Sequence, residues 1–226
     1  MSKRLTEKVR RVESLLAERY GRPVWGGPGD PLDELVLTIL SQNTSDTNRD
    51  KAWRLLKDRY PTWEAVADCD ETELAAAIAP AGLSNQKAPR ILAILRDIEH
   101  RFGRLSLDDL VDWPHDQVRD YLTAYPGVGP KTAACVLMFA LGRPVMPVDT
   151  HVHRIATRLG FIAKGASFEV AHKTMDSITP PELVYPLHIE MIRHGRALCR
   201  PTNPKCAECP VIDECNFAKT GRKATR

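Results

Sequence analysis

The hydrophobic pattern of this chain repeats almost throughout with the period of an α-helix. In residues 6–20 one face carries Val9, Val12, Leu16 and Tyr20, a pattern typical of an amphipathic helix. No alternating run of β-branched residues long enough for a strand stands out. Gly and Pro separate the helical segments at the positions expected for turns. The sequence therefore predicts an all-α fold.

Composition limits the classes of protein to which the chain can belong. Its 226 residues, 43% of them hydrophobic, suffice for one large core or two modest ones. The net charge is only +3, so charge alone does not indicate a nucleic-acid partner. The charged N-terminus lacks the apolar segment of a signal peptide, and no run could cross a bilayer. We expect a cytoplasmic protein with no membrane partner, whose six cysteines form no disulfide framework.

A glycine-rich turn, PGVG, lies between two of the helical segments. Gly127 and Gly129 permit backbone conformations that other residues avoid, and they leave successive N–H groups of Gly127, Val128 and Gly129 uncovered. Such N–H groups can bind a phosphate without reading a base. An ordinary tight connection between helices is the alternative interpretation.

Two ionisable residues follow this turn. Lys131 occupies the first turn of a predicted helix, where the helix dipole and partial burial favour a neutral, nucleophilic amine. A solvated lysine or a phosphate contact is the alternative. Asp149 and Thr150 stand at a predicted helix start, where an aspartate cap stays ionised and can also stabilise a developing cation. We interpret His151 and His153 as polar packing residues.

Four cysteines near the C-terminus have the spacing C-x6-C-x2-C-x5-C and indicate a metal site: Cys199, Cys206, Cys209 and Cys215. Structural zinc sites usually pair two short C-x-x-C motifs, whereas only one is present here. A [4Fe-4S] cluster accommodates the longer spacings and is favoured over zinc, which stays open. The remaining cysteines, Cys69 and Cys135, are predicted to be small core residues.

Taken together, these motifs resemble those of the endonuclease III branch of the helix-hairpin-helix DNA glycosylases. The resemblance rests on LTAYPGVGPKTA, on PVDTH further along and on the cysteine spacing, and it covers nearly the whole chain. It implies two α-helical domains with the active site in the cleft between them. A six-helix barrel would span residues 24–143, and residues 1–23 and 144–226 would form an iron-sulfur domain.

The resemblance also implies roles for individual residues. Lys131 matches the Schiff-base lysine of the family, Asp149 its catalytic aspartate, and the four C-terminal cysteines its [4Fe-4S] ligands. Arg200 and Lys205, which lie between the first two of those cysteines, are predicted to contact phosphate. The hairpin residues 127–129 are predicted to bind the DNA backbone.

Two loops of the family fill the gap left by a flipped base, and here they fall at Gln42-Asn43 and at Leu83. The glutamine usual in the family aligns with Asn43, so it stays open whether the Gln42 or the Asn43 amide enters the DNA double helix. Leu83 has the apolar shape of a wedge between base steps, with a capping contact at the start of a helix as the alternative. Substrate choice is expected to depend on these loops.

The implied activity is that of a bifunctional DNA glycosylase and AP lyase of base excision repair. Its expected substrate is double-stranded DNA with damaged bases or abasic sites, oxidised pyrimidines such as thymine glycol in particular. A monofunctional adenine or mismatch-thymine glycosylase is an alternative, although the adenine enzymes carry a glutamate where Thr38 stands and lack Lys131. A noncatalytic DNA-binding protein is a third possibility. We expect a monomer.

Overall fold

The computed structural model describes residues 2–221 of the chain, which form helices and connecting segments with no strand among them. The all-α prediction is therefore confirmed. The chain divides into two compact units: a central unit, residues 27–142, and a terminal unit made of residues 1–26 and 143–226. The predicted domain limits at residues 24 and 143 lie close to these bounds. Within residues 2–221, no helix combines the length and apolar character needed to cross a bilayer.

The central unit contains a series of α-helices joined by short turns. They are α2 (Pro31–Leu40), α3 (Asp46–Arg59), α4 (Trp63–Ala67), α5 (Glu71–Ala77), α6 (Ser84–Phe102), α7 (His115–Thr123) and α8 (Pro130–Cys135), with 3₁₀ turns at Ala79–Ala81 and Asp108–Val111. The terminal unit contains α1 (Ser2–Tyr20), α9 (Thr150–Leu159), α10 (Phe168–Ile178), α11 (Val184–Ala197) and α12 (Asn216–Gly221), with 3₁₀ turns at Pro181–Leu183, Cys206–Glu208 and Ile212–Glu214.

Helix α2 begins where its sequence signals predicted. The Asp30 carboxylate accepts hydrogen bonds from the N–H groups of Leu32 at 2.7 Å and Asp33 at 3.0 Å, and Pro31 occupies the first helical position. The apolar face of α2 is fully buried and packs against α3, α6 and α8. Burial of each large side chain on this face contributes roughly 1.5–3 kcal/mol.

Helix α8 ends at Cys135 and continues as a π-helical segment at Val136–Ala140. The Leu141 N–H donates to the Val136 carbonyl at 3.1 Å, which is the spacing of a π turn. Neither this segment nor α12 was predicted. The expectation that both isolated cysteines are core residues holds for Cys135, which is buried, and is wrong for Cys69. Helix α4 ends at Ala67, so Cys69 lies in the following turn and is only half-buried.

Candidate active site and cysteine pocket

The glycine hairpin joins α7 to α8 and is held by contacts within the central unit. Gly127 has φ +82°, and a Cβ atom placed there would lie 2.9 Å from Nη1 of Arg90. The side chain of Val128 is buried, and its N–H donates to the Tyr125 carbonyl at 3.0 Å. Val128 therefore anchors the turn, and its N–H is already used within the hairpin. The N–H groups suited to a phosphate are those of Gly127, which is exposed, and Gly129.

Lys131 lies in the first turn of α8 and belongs to a small polar cluster. The Thr38 hydroxyl of α2 donates to the Glu34 carboxylate at 2.9 Å, and side-chain hydrogen bonds join both Thr38 and Lys131 to the Cys135 thiol. Burial raises the pKa of the Cys135 thiol to about 11, an effect that the nearby Lys131 charge opposes. The cluster connects Lys131 to Glu34 within one compact unit.

Glu34 was not singled out from the sequence. Burial raises the pKa of its carboxyl to about 7, although the Thr38 hydroxyl and the positive charges of Lys131 and Arg49 act in the opposite direction. The available signal was an acidic pair, Asp33 and Glu34, between the buried positions 32 and 35 of a largely apolar helix. Its proximity to Lys131 follows from the packing of α2 on α8, which the sequence pattern does not show.

Asp149 is the N-cap of α9 in the terminal unit. Its Oδ1 atom accepts the Val152 N–H at 2.7 Å, the role that the sequence left to either Asp149 or Thr150. The two histidines of α9 make packing contacts, as predicted. His151 Nδ1 lies 3.0 Å from Arg154 Nη2, while His153 Nε2 lies 2.8 Å from the Ala166 carbonyl oxygen.

The two loops predicted to enter DNA share an unusual backbone geometry. Asn43 has φ +54° and Leu83 has φ +51°, and both side chains are exposed. Gln42 differs from Asn43, because its Nε2 amide donates to the Gly127 carbonyl of the hairpin at 2.9 Å. A buried lysine that was not predicted, Lys87, lies beneath both loops and donates hydrogen bonds to both.

The four C-terminal cysteines line one pocket in the terminal unit. Arg158 Nη1 donates to the Cys199 sulfur at 3.2 Å, and the Arg158 guanidinium lies 4.7 Å from the Phe217 ring centroid. Within residues 2–221 no three His, Cys, Asp or Glu side chains converge on a single metal ion. Four thiols that line one pocket are a donor set that a [4Fe-4S] cluster or a zinc ion takes.

The two basic residues of the cysteine loop lie at the surface. Arg200 and Lys205 are both exposed, and Lys205 Nζ lies 3.7 Å from Glu208 Oε1. The loop is held by its backbone, since the Lys205 N–H donates to the Leu198 carbonyl at 3.0 Å. Both side chains are accessible to a phosphate, and Lys205 also lines the cysteine pocket.

Comparison with known proteins gives consistent matches. The family described as HhH-GPD superfamily base excision DNA repair protein matches residues 36–181. Endonuclease III of Thermotoga maritima is 36% identical over 188 residues, which cover 83% of this chain and 84% of the relative.

Two solved structures match at the level of the whole chain. One is a non-covalent endonuclease III–DNA complex and the other a trapped endonuclease III–DNA covalent intermediate. Each has a TM-score of 0.80 and 29% identity, and covers 96% of this chain and 98% of the solved one. The family match spans more than half of the sequence and includes the hairpin, Lys131 and Asp149. The chain belongs to the HhH-GPD superfamily of base excision DNA repair proteins.

Proposed function

We propose that the chain is a bifunctional DNA glycosylase and AP lyase that removes oxidised pyrimidines, such as thymine glycol, from double-stranded DNA. The observation that carries the proposal is Lys131, a lysine in the first turn after the hairpin, within a family that repairs DNA bases. A similar solved structure is a covalent endonuclease III–DNA intermediate, which supports a covalent mechanism. We infer a monomer that acts in the cytoplasm.

The proposed reaction begins with extrusion of the damaged nucleotide, because its sugar cannot be reached within the duplex. The neutral Lys131 amine attacks C1′ and forms the N–C bond as the glycosidic bond breaks, and the base leaves with the bonding electrons. Ionised Asp149 stabilises the positive charge on the sugar. Its Oδ1 atom accepts the Val152 N–H, which fixes the carboxylate at the start of α9.

The lyase step follows from the Schiff base. It forms when the C1′–O4′ bond breaks, O4′ leaves with the bonding electrons and takes a proton, and the Lys131 nitrogen forms a double bond to C1′. The iminium withdraws electrons from C2′, so a base removes the C2′ proton and the 3′ phosphate leaves with the electrons of the C3′–O bond. Water then hydrolyses the imine and regenerates the Lys131 amine. One lysine thus accounts for both the glycosylase step and the lyase step.

We propose that Cys199, Cys206, Cys209 and Cys215 hold a [4Fe-4S] cluster. When bound, the cluster supplies a structural cross-link, because a loop that folds around it gains the metal-binding free energy as folding free energy. The four residues share one pocket, which supports this assignment. Arg200 and Lys205 on the same loop would then present their charges to the DNA backbone. The purified protein should be brown and contain iron and sulfide, whereas a colourless protein with stoichiometric zinc would contradict the assignment.

Borohydride trapping on a duplex with an abasic site tests the lyase assignment. The wild-type protein should form a covalent adduct that Lys131→Ala abolishes. Lys164→Ala, an exposed lysine of the terminal unit, serves as the matched control and should trap normally. Unchanged trapping by Lys131→Ala would overturn the assignment. A panel of damaged duplexes assayed for strand cleavage then identifies the lesions that are removed.

A further inference from the structure

Lys87 is a buried cation in the central unit with an unusual set of partners. The residue is 1% exposed, and its ammonium donates to the carbonyls of Leu40 at 2.8 Å, Gln42 at 2.8 Å and Ala81 at 2.9 Å. An ammonium has three N–H donors, so these contacts satisfy all of them. Burial lowers the pKa of Lys87, whereas the three carbonyl dipoles stabilise its protonated form.

Two of the three carbonyls belong to different loops, and the third, that of Leu40, ends α2. We call residues 41–44 the first loop, which begins at the end of α2, and residues 79–83 the second loop, which leads into α6. The Leu40 and Gln42 carbonyls bracket the start of the first loop, and the Ala81 carbonyl lies two residues before Leu83. Lys87 itself follows Leu83 by one helical turn, and its N–H donates to the Leu83 carbonyl at 3.0 Å. One side chain therefore connects the backbones of both loops.

Both loops hold an exposed residue in a left-handed conformation. Asn43 has φ +54° and Leu83 has φ +51°, and only one other non-glycine residue within residues 2–221, Asn203, has a positive φ. Asparagine tolerates this region, whereas a leucine there is strained and stays so only when its surroundings enforce it. Lys87 contacts the backbone next to each of these positions, at Gln42 before Asn43 and at Ala81 and Leu83 in the second loop, and these contacts supply that constraint.

Gln42 has a different place in the same arrangement. Its amide donates to the Gly127 carbonyl at 2.9 Å, which ties the first loop to the glycine hairpin. An amide engaged with the hairpin is unavailable to fill a gap in a duplex, while the neighbouring Asn43 is exposed. The geometry thus distinguishes the Gln42 amide, which braces the first loop against the hairpin, from the Asn43 amide, which is exposed.

We propose that Lys87 is a positioning residue that holds the two loops as one unit, so that Asn43 and Leu83 enter the duplex together when a nucleotide is extruded. This inference rests on the proposed glycosylase function. It assigns Lys87 to the extrusion step and not to the chemistry at Lys131. Loss of Lys87 should therefore affect duplex substrates much more than substrates that need no extrusion.

The first test compares Lys87→Met with the wild-type protein on two substrates. Met keeps the length of the side chain but removes the three donors. On a duplex with a damaged base, kcat/KM should fall by about tenfold or more, because a small misplacement of a positioned group has a large effect on rate. On single-stranded DNA with an abasic site, borohydride trapping by Lys131 should stay within about threefold of the wild-type rate.

Lys57→Met is the matched control, since Lys57 is another lysine of the central unit whose contacts, to Asp33 and the Trp63 ring, lie outside both loops. It should leave both rates nearly unchanged. An equal loss by Lys87→Met on both substrates would show a general structural role and overturn the inference. Unchanged activity on the duplex would overturn it as well. Absence of Lys131-dependent trapping by the wild-type protein would instead refute the proposed function.

A second test keeps Lys87 and does not depend on the folding of Lys87→Met. Asn43→Ala, Leu83→Ala and the double variant are compared for affinity to a duplex that contains a tetrahydrofuran abasic-site analogue. If the loops act as one unit, each single change weakens binding by about tenfold and the double change adds little more. If the affinity of the double variant instead falls by about 100-fold, the product of the two single effects, the loops act independently and the inference is overturned.

Discussion

Glu190, on α11 in the terminal unit, is a carboxyl whose burial should make the stability of the protein depend on pH. The residue is 0% exposed, and neither of its carboxylate oxygens has a hydrogen-bond partner within residues 2–221. Burial, followed by the charge of Glu13 on α1, raises the pKa of Glu190 to about 8, against the opposing charges of Arg22 and Arg193. Arg22 is already engaged, because its Nη2 donates to Glu13 Oε2 at 2.6 Å. Glu190 is therefore protonated in the folded protein at neutral pH.

The sign of the effect follows from linkage. A carboxyl whose pKa is raised on folding stabilises the folded state most at low pH, and this stability is lost as pH rises from the unfolded value of 4.5 toward about 8. Over most of this range each pH unit changes the free energy of unfolding by about 1.4 kcal/mol. Between pH 5 and pH 8, Glu190 should thus remove about 3 kcal/mol of stability. Glu190→Gln keeps the shape and removes the titration.

Urea unfolding of the holo-protein, followed by circular dichroism from pH 5 to pH 8, measures this contribution. The free energies of unfolding of wild type and Glu190→Gln should diverge with rising pH, with the variant the more stable at pH 8. Other titrating groups, the four C-terminal cysteines included, cancel in the difference. Glu18→Gln, an exposed residue of α1, is the control and should follow the wild type. Parallel curves for wild type and Glu190→Gln would refute the reasoning.

Three further outcomes are expected. The rate of borohydride trapping should fall by about threefold to tenfold below pH 7, where Glu34 becomes protonated and can no longer accept the Lys131 proton. Glu34→Gln should trap more slowly, and its pH–rate profile should lack this inflection. An inflection that survives in the variant would show that Glu34 is not the group that accepts the proton. Gly127→Ala should lower the free energy of unfolding by about 1–2 kcal/mol, since φ is +82° and the new Cβ would meet Arg90. Urea unfolding checks this value, and a variant as stable as wild type would contradict the geometry. Cys209→Ala should lose iron and visible absorption and unfold at a lower temperature; full iron content in that variant would remove Cys209 from the ligand set.

The sequence was sufficient for the features that depend on neighbours along the chain. Helical periodicity predicted the class, and the caps at Asp30 and Asp149 follow from a side chain that reaches N–H groups two or three residues ahead. The cysteine spacing predicted one shared site, and all four cysteines line the same pocket. The hairpin motif and Lys131 indicated the family, which the comparisons confirm.

The local sequence pattern did not reveal which contacts individual side chains make once the helices pack. Val128 was predicted as a DNA contact along with its glycine neighbours, yet its side chain is buried. Gln42 and Asn43 are adjacent amides in the sequence, and only the position of the hairpin carbonyl distinguishes the bracing residue from the exposed one.

Lys87 shows most clearly what only the tertiary structure decided. In the sequence it is one lysine among many, and a lysine in an amphipathic helix is ordinarily solvated. It is buried here because the turns after α2 and before α6 both direct carbonyl oxygens to its ammonium. Two of those carbonyls lie more than forty residues away along the chain, at Leu40 and Gln42. Helix formation depends on local hydrogen bonds and periodic burial, which a sequence encodes directly, whereas the partners of a buried charge depend on which distant segments the packed core brings together.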